Sequence, residues 1–70
     1  MTRDQKVENF RSMNRSIYRI AERGTWNDLV EWRTEFKALV AENALLKGDA
    51  KVLDKADTYA EKQIFRSKRF

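Results

Sequence analysis

Four arginines recur at every fourth position of the segment FRSMNRSIYRIAER, residues 10–23: Arg11, Arg15, Arg19 and Arg23. A guanidinium group offers a planar fork of donors that matches the oxygens of a phosphate group. On a helix, steps of four residues drift by about 40°, so the four side chains form a winding band roughly opposite the apolar residues of the same segment. The row therefore predicts an exposed surface for an anionic partner, although a merely solvated basic face produces the same pattern.

A second basic set occupies the last third of the chain, with members at Lys51, Lys55, Lys62, Arg66 and Arg69. On one helix these side chains project within roughly 60° of one another, while the acidic residues of the same segment gather on one flank. Like charges at four-residue spacing cost about 0.2–0.5 kcal/mol per pair, so helix stability alone does not favour this segregation. If the first and third helices run parallel, the two basic bands flank one surface suited to the backbone of a nucleic acid.

Catalytic and metal-binding chemistry is poorly represented. The chain contains no Cys and no His, so it lacks disulfides, thiolate metal sites, the commonest metal ligand and the usual general base at neutral pH. No loop alternates acidic ligands around a central Gly, as calcium loops do, and no Gly-rich loop is suited to cradling phosphates. We therefore expect a non-enzymatic protein without a metal or a cofactor.

Two glycines divide the 70 residues into near-equal thirds, and the chain has no proline. Gly24 is followed by Thr25 and Gly48 by Asp49, and both following residues are favoured at helix N-caps. These breaks predict helices at about 4–23, 26–47 and 50–67. Short turns make successive helices antiparallel, so we expect one all-α domain over residues 1–70, either an up-down-up three-helix bundle or a helical hairpin plus a third helix.

Apolar spacing agrees with this division. The first helix has one stripe in steps of three or four residues, formed by Val7, Phe10, Met13, Ile17 and Ile20. The third helix has another, formed by Leu53, Ala56, Ala60 and Ile64. The apolar face of the second helix is wider and includes Trp32 and Phe36, as a helix that contacts two neighbours requires. We expect these stripes to form the core.

Self-association is left open by the sequence. Asn43 falls on the predicted seam of the second helix between Leu39 and Leu46. A buried amide at such a position can set the register or the oligomeric state of a coiled coil, whereas an amide at the end of the bundle is half exposed and has no such role. Two chains of this protein are therefore possible partners for each other through the second helix.

The main alternative function is a regulator or inhibitor that docks on a larger macromolecular machine. Trp, Tyr and Arg contribute most to the energetics of protein interfaces. The candidate protein-interface residues are Tyr18, Trp26, Leu45 and Phe65. For Trp26 the competing interpretation is an apolar plug that closes one end of the bundle.

Location and partner class follow from charge and hydropathy. The net charge is +4, which indicates a modest preference for anionic partners. No segment approaches the roughly 20 apolar residues of a membrane span, and the first residues lack the apolar run of a signal peptide. We therefore expect a complete cytoplasmic protein that binds no membrane. Its predicted partner is a nucleic acid contacted through the backbone, with a protein partner as the alternative.

Overall fold

A computed structural model describes residues 2–70 and shows a three-helix bundle. The helices are α1 at Arg3–Arg23, α2 at Trp26–Ala41 and α3 at Lys47–Ser67, and no strand occurs among the described residues. The Cα trace extends 39 × 16 × 15 Å, which is a short rod. The all-α three-helix fold predicted from sequence is confirmed.

The first two helices begin where local chemistry predicts. Thr2 accepts a hydrogen bond from the backbone amide of Gln5 at 3.2 Å and so caps α1. Thr25 and Asp28 form a capping box at the start of α2, in which each side chain accepts from the other residue's backbone amide. This arrangement satisfies two amides that the first turn of a helix leaves without partners.

Gly24 follows α1 in an extended conformation, with φ of −80° and ψ of 170°, at a point where a side chain does not fit. Its backbone amide donates to the carbonyl oxygen of Ile20 at 2.8 Å. A Cβ atom at residue 24 would lie 2.7 Å from the Cα atom of Ile20, closer than real Cβ contacts come. The tight passage from α1 to α2 therefore depends on glycine for space.

The second break lies earlier than the sequence predicted, because Asn43 and not Gly48 ends the helix. Asn43 has φ of 55°, in the left-handed region, and the amides of Asn43 and Ala44 donate to the carbonyls of Val40 and Leu39. This is a Schellman motif, and Asn is tolerated at its left-handed position. Asn43 is exposed, so it is not a buried seam amide.

The start of α3 also differs from the prediction. Leu46 occupies the N-cap without a side-chain cap hydrogen bond, and Gly48 lies inside the first turn instead of in the loop. Asp49, which was predicted to cap the helix, lies in the first turn, where its negative charge interacts favourably with the positive end of the helix dipole. Apolar packing of the loop, and not a polar cap, therefore sets where α3 begins.

The core forms where the apolar stripes of the three helices meet. Its largest fully buried side chains are Met13, Ile17, Leu29, Leu53 and Ile64. The indole of Trp32 is buried and donates from Nε1 to the carbonyl oxygen of Met13 at 3.1 Å, and its ring stacks on Phe36 with centroids 5.0 Å apart. Both aromatic side chains were predicted to pack in the core, and Trp32 satisfies its polar atom there.

The direction of the helices follows from contacts at both ends of the rod. At one end the amide of Trp26 donates to the carbonyl oxygen of Arg69 at 2.9 Å, which joins the start of α2 to the tail after α3. At the other end the side-chain amide of Asn9 donates from Nδ2 to the carbonyl oxygen of Ala44 at 3.0 Å. Hence α2 runs antiparallel to α1 and α3, which run parallel and pack extensively on each other. None of the helices over residues 2–70 is long and apolar enough to span a bilayer.

Candidate nucleic-acid interface

Tyr18 of α1 and Tyr59 of α3 meet on the side of the bundle away from α2. Their ring centroids are 6.3 Å apart with planes tilted by 51°, and each residue is 49% exposed. Asp57 and Glu61, which bind α2, are each two residues from Tyr59 and therefore about 200° around α3 from it. We call Tyr18 and Tyr59 the tyrosine pair, and the surface of α1 and α3 around it the outer face.

Helix α1 contributes two arginines to the outer face. Arg11 and Arg15 precede Tyr18 by seven and three residues, which places them about 20° and 60° from it around the helix. Both are exposed, and neither forms an ion pair with any residue that the structure describes. Glu22, four residues after Tyr18, is an acidic neighbour on the same side. The donors of the two arginines are therefore available to an external acceptor.

Helix α3 contributes three more cations. Lys55, Lys62 and Arg66 lie four residues before, three after and seven after Tyr59, and all are exposed. These spacings place them within about 60° of Tyr59 around the helix. The outer face therefore combines the half-exposed tyrosine pair with basic side chains from two parallel helices.

Arg33 of α2 binds two acidic residues of α3. Its guanidinium Nε donates to Oδ1 of Asp57 at 2.9 Å, and its Nη2 donates to Oε1 of Glu61 at 3.2 Å. The hydrogen bond to Asp57, with a smaller contribution from Glu61, raises the pKa of Arg33 against the lowering effect of burial. Two acidic residues of α3, Asp57 and Glu61, thus have an internal partner, whereas Asp54 is exposed.

Sequence reasoning did not single out Arg33, although the pattern contains a signal for it. Arg33 lies between Leu29 and Phe36 at helical spacing, so it interrupts the apolar face of α2. A cation beside a buried face requires an internal partner, because an unpaired charge there is costly. The partners were identifiable as the acidic flank of α3, but only if the facing of α2 and α3 was known.

The arginine row borders two surfaces, and Arg19 and Arg23 contribute to both. Because the band winds, Arg19 and Arg23 reach the groove between α1 and α2, an open space of about 400 Å³. The opposite wall of this groove contains the acidic residues Asp28, Glu31 and Glu35. Their negative charges offset part of the positive potential there. Arg19 and Arg23 also line a shallow depression with Arg15, Tyr18 and Glu22, so they border the outer face as well. Arg11 and Arg15 are the members of the row that do not line the groove with the acidic wall.

Two other predicted basic residues lie elsewhere. Lys51 lines a groove between α2 and α3 together with Phe36 and Asp54. Arg69 donates from its guanidinium to the carbonyl oxygens of Gly24 at 2.9 Å and Ala21 at 2.5 Å. These bonds use guanidinium donors of Arg69 for the last turn of α1, so fewer donors are available to a phosphate.

The alternative protein-interface residues are dispersed. Trp26 contacts Phe65 with ring centroids 5.4 Å apart, and Phe65 contacts Phe70 at 5.3 Å, so these three side chains form an aromatic cluster at one end of the rod. Tyr18 belongs to the outer face. Leu45 was expected on an exposed surface, but it is only 8% exposed because the loop after α2 folds it into the core, so it is not available to a partner.

Comparisons with known proteins identify no relatives: no protein-family model, no curated protein and no solved structure matches the chain. Across residues 2–70, no group of three or more acidic side chains is placed to hold a metal ion. The outer face and the aromatic cluster are therefore the two surfaces on which a functional proposal rests.

Proposed function

We propose that this protein is a non-enzymatic cytoplasmic binding module that contacts the backbone of a nucleic acid through its outer face. The observation that supports the proposal is the contact between Tyr18 and Tyr59. It brings the exposed basic side chains of α1 beside those of α3, while Asp57 and Glu61 lie on the side of α3 toward α2 and bind Arg33.

The chemistry of the outer face suits phosphate. Five basic residues contribute, namely Arg11, Arg15, Lys55, Lys62 and Arg66. Each cation that neutralises a phosphate releases condensed counterions, so binding weakens steeply as salt rises. Backbone contacts of this kind position a protein on a nucleic acid without reading its sequence. The proposal therefore predicts salt-dependent binding with little sequence preference.

A titration of labelled short DNA and RNA, single-stranded and duplex, tests the proposal by fluorescence anisotropy. We expect binding at about 50 mM salt that weakens severalfold or more by about 200 mM. Lys62→Glu should weaken binding about tenfold, since it replaces a phosphate contact by repulsion. The matched control is Lys37→Glu, an identical change of charge at an exposed position of α2 away from the outer face.

Circular dichroism should show equal helix content for the two variants and the unmodified protein. Equal weakening by Lys62→Glu and Lys37→Glu would show that only net charge matters and would contradict the assignment to the outer face. If no probe binds at about 50 mM salt, the nucleic-acid proposal fails.

A second candidate function is a protein-binding regulator that docks through the aromatic cluster. The observation that favours it is the exposure of Phe65 and Phe70, which are 52% and 69% exposed. They belong to the same cluster as Trp26, and the guanidinium carbon of Arg33 lies 5.3 Å from the centroid of the Trp26 indole. Such aromatic and arginine side chains are typical anchors of interfaces. Phe65→Ala should abolish binding to a protein partner and leave nucleic-acid binding unchanged, whereas Lys62→Glu should do the reverse.

A further inference from the structure

We infer that the outer face binds single-stranded nucleic acid, and that Tyr18 and Tyr59 stack on its unpaired bases. This inference rests on the proposed function, because it assigns the class of nucleic acid to the same face. It is carried by the placement of two half-exposed aromatic rings among cations that are free of internal partners.

The tyrosine pair is not part of the buried core. Ile17 and Ala60, the residues next to Tyr18 and Tyr59 in sequence, are fully buried, whereas about half of each tyrosine is open to solvent. Neither phenol oxygen takes part in a hydrogen bond within the described part of the chain. Tyr has a lower helix propensity than Ala, Leu, Lys or Glu, so helix formation does not favour it at either exposed position.

Cations lie before, beside and after the tyrosine pair along the rod. With a rise of 1.5 Å per residue, Arg11 precedes Tyr18 by about 10 Å, and Arg66 follows Tyr59 by about the same distance. Lys55 and Lys62 lie about 6 Å before and 4.5 Å after Tyr59. A strand that follows the seam between α1 and α3 therefore meets phosphate-binding groups on both sides of the point where its bases reach the rings.

Unpaired bases complement this arrangement better than a duplex does. Single-strand binding surfaces combine a positive track with aromatic rings on which bases of any type stack. In a duplex the faces of the bases are already stacked on one another, and exposing them requires distortion of the helix. Rings at the centre of the outer face would then have no stacking partner, and only the cations would contribute.

A second copy of the chain is a poor occupant for this surface. In a symmetric dimer the same face of both copies meets, so the basic side chains of one would oppose those of the other. Like charges brought together at an interface cost several kcal/mol. The charge of the outer face therefore favours a polyanion over self-association.

The test uses four labelled probes of equal length: a single-stranded DNA, the same strand as RNA, the DNA paired with its complement, and an abasic DNA that retains the phosphates without bases. We expect the protein to bind the base-containing single strands about tenfold or more tighter than the abasic strand. Tyr18→Leu with Tyr59→Leu should remove this preference and leave the affinity for the abasic strand unchanged. Tyr18→Phe with Tyr59→Phe should keep the preference, because a phenyl ring still stacks.

Phe65→Leu is the matched control for loss of an exposed aromatic ring away from the outer face, and it should not alter the preference. The inference is overturned if the double leucine variant keeps the full preference, or if the duplex binds as tightly as the single strands. In either of those outcomes the proposed function survives, because the abasic strand and the duplex still bind. If none of the four probes binds at about 50 mM salt, the proposed function fails as well.

Discussion

Arg69 donates from its guanidinium to the carbonyl oxygen of Ala21 at 2.5 Å, so the C-terminal tail caps the end of α1. The same side chain donates to the carbonyls of Ile20 and Gly24, and its own carbonyl accepts from the amide of Trp26. One residue thus donates to three carbonyls at the end of α1 and accepts from one amide at the start of α2. The positive charge of Arg69 also interacts favourably with the negative end of the α1 helix dipole.

Arg69→Ala should lower the free energy of unfolding by about 1–3 kcal/mol, because it leaves the partly buried carbonyls of α1 without their charged donor. Urea denaturation measures this change. The control is Arg66→Ala, which removes an exposed arginine of α3 and should change stability by less than about 0.5 kcal/mol. Nucleic-acid binding should show the opposite order, with the larger loss for Arg66→Ala. If Arg69→Ala leaves stability unchanged and weakens binding as much as Arg66→Ala does, Arg69 acts as a phosphate contact.

Arg33→Met should lower the free energy of unfolding by about 1 kcal/mol, since Met retains the packing of the stem but leaves Asp57 and Glu61 without their partner. Arg33→Lys should recover only part of the loss, because an ammonium group lacks the planar fork that reaches both carboxylates. Equal stability of the Met variant and the unmodified protein would contradict a stabilising role for the three charges.

The pH dependence of this contribution has a definite sign. The folded-state pKa of Arg33 is raised above its ordinary value. A group of this kind contributes stability at every pH below its unfolded pKa and loses it only as pH rises through the folded value. The difference between the unmodified protein and Arg33→Met should therefore show no loss on the alkaline side until strong alkali is reached.

The two glycines should respond in opposite ways to alanine. Gly48→Ala places a methyl group in open space within α3, and it should raise stability by about 0.5–1 kcal/mol through the better helix propensity of Ala. Gly24→Ala forces its Cβ against the backbone of Ile20 and should lower stability by at least about 1 kcal/mol. Thermal unfolding followed by circular dichroism measures both. A gain in Gly24→Ala would show that α1 and α2 are not joined as tightly as described.

Members of the arginine row should differ in their effect on salt dependence. On single strands the slope of log affinity against log salt is about −0.7 per phosphate neutralised, so Arg15→Gln should make it shallower by about that amount. Arg23→Gln should change the slope less, because Arg23 borders the outer face but also lines the groove whose other wall carries Asp28, Glu31 and Glu35. Titration of a labelled single strand over a range of salt concentrations gives both slopes. A larger change of slope for Arg23→Gln than for Arg15→Gln would indicate that the nucleic acid binds at that groove and not at the outer face.

Much of the fold could be predicted because it depends on local patterns. The capping box of Thr25 and the apolar stripes are properties of neighbouring residues, and they correctly defined three helices and most of the core. The second turn was misplaced at Gly48 because glycine is the commonest residue at helix ends. The helix actually ends at Asn43, and asparagine adopts the left-handed conformation less often than glycine does. Leu45 was wrongly predicted to be exposed for a related reason. It lies in the loop after α2, where the helical period does not determine which side chains are buried.

The candidate site was predictable only in part. The sequence identified basic bands on α1 and α3, but it did not indicate that Arg23, and not Arg15, also lines a groove with acids of α2. Nor did it indicate that Tyr18 meets Tyr59. Each of these facts depends on how one helix is rotated about its axis relative to another.

The sequence by itself determined the number of helices, the apolar face of each and the separation of basic from acidic side chains, because these follow from the 3.6-residue period and from residues close in the chain. Only the tertiary structure decided that Arg33 binds Asp57 and Glu61 of α3, that Arg69 binds the carbonyls at the end of α1, and that the tyrosine pair lies among exposed cations. These contacts join residues far apart in the chain, and packing of the shared core selects the helix rotations that bring them together.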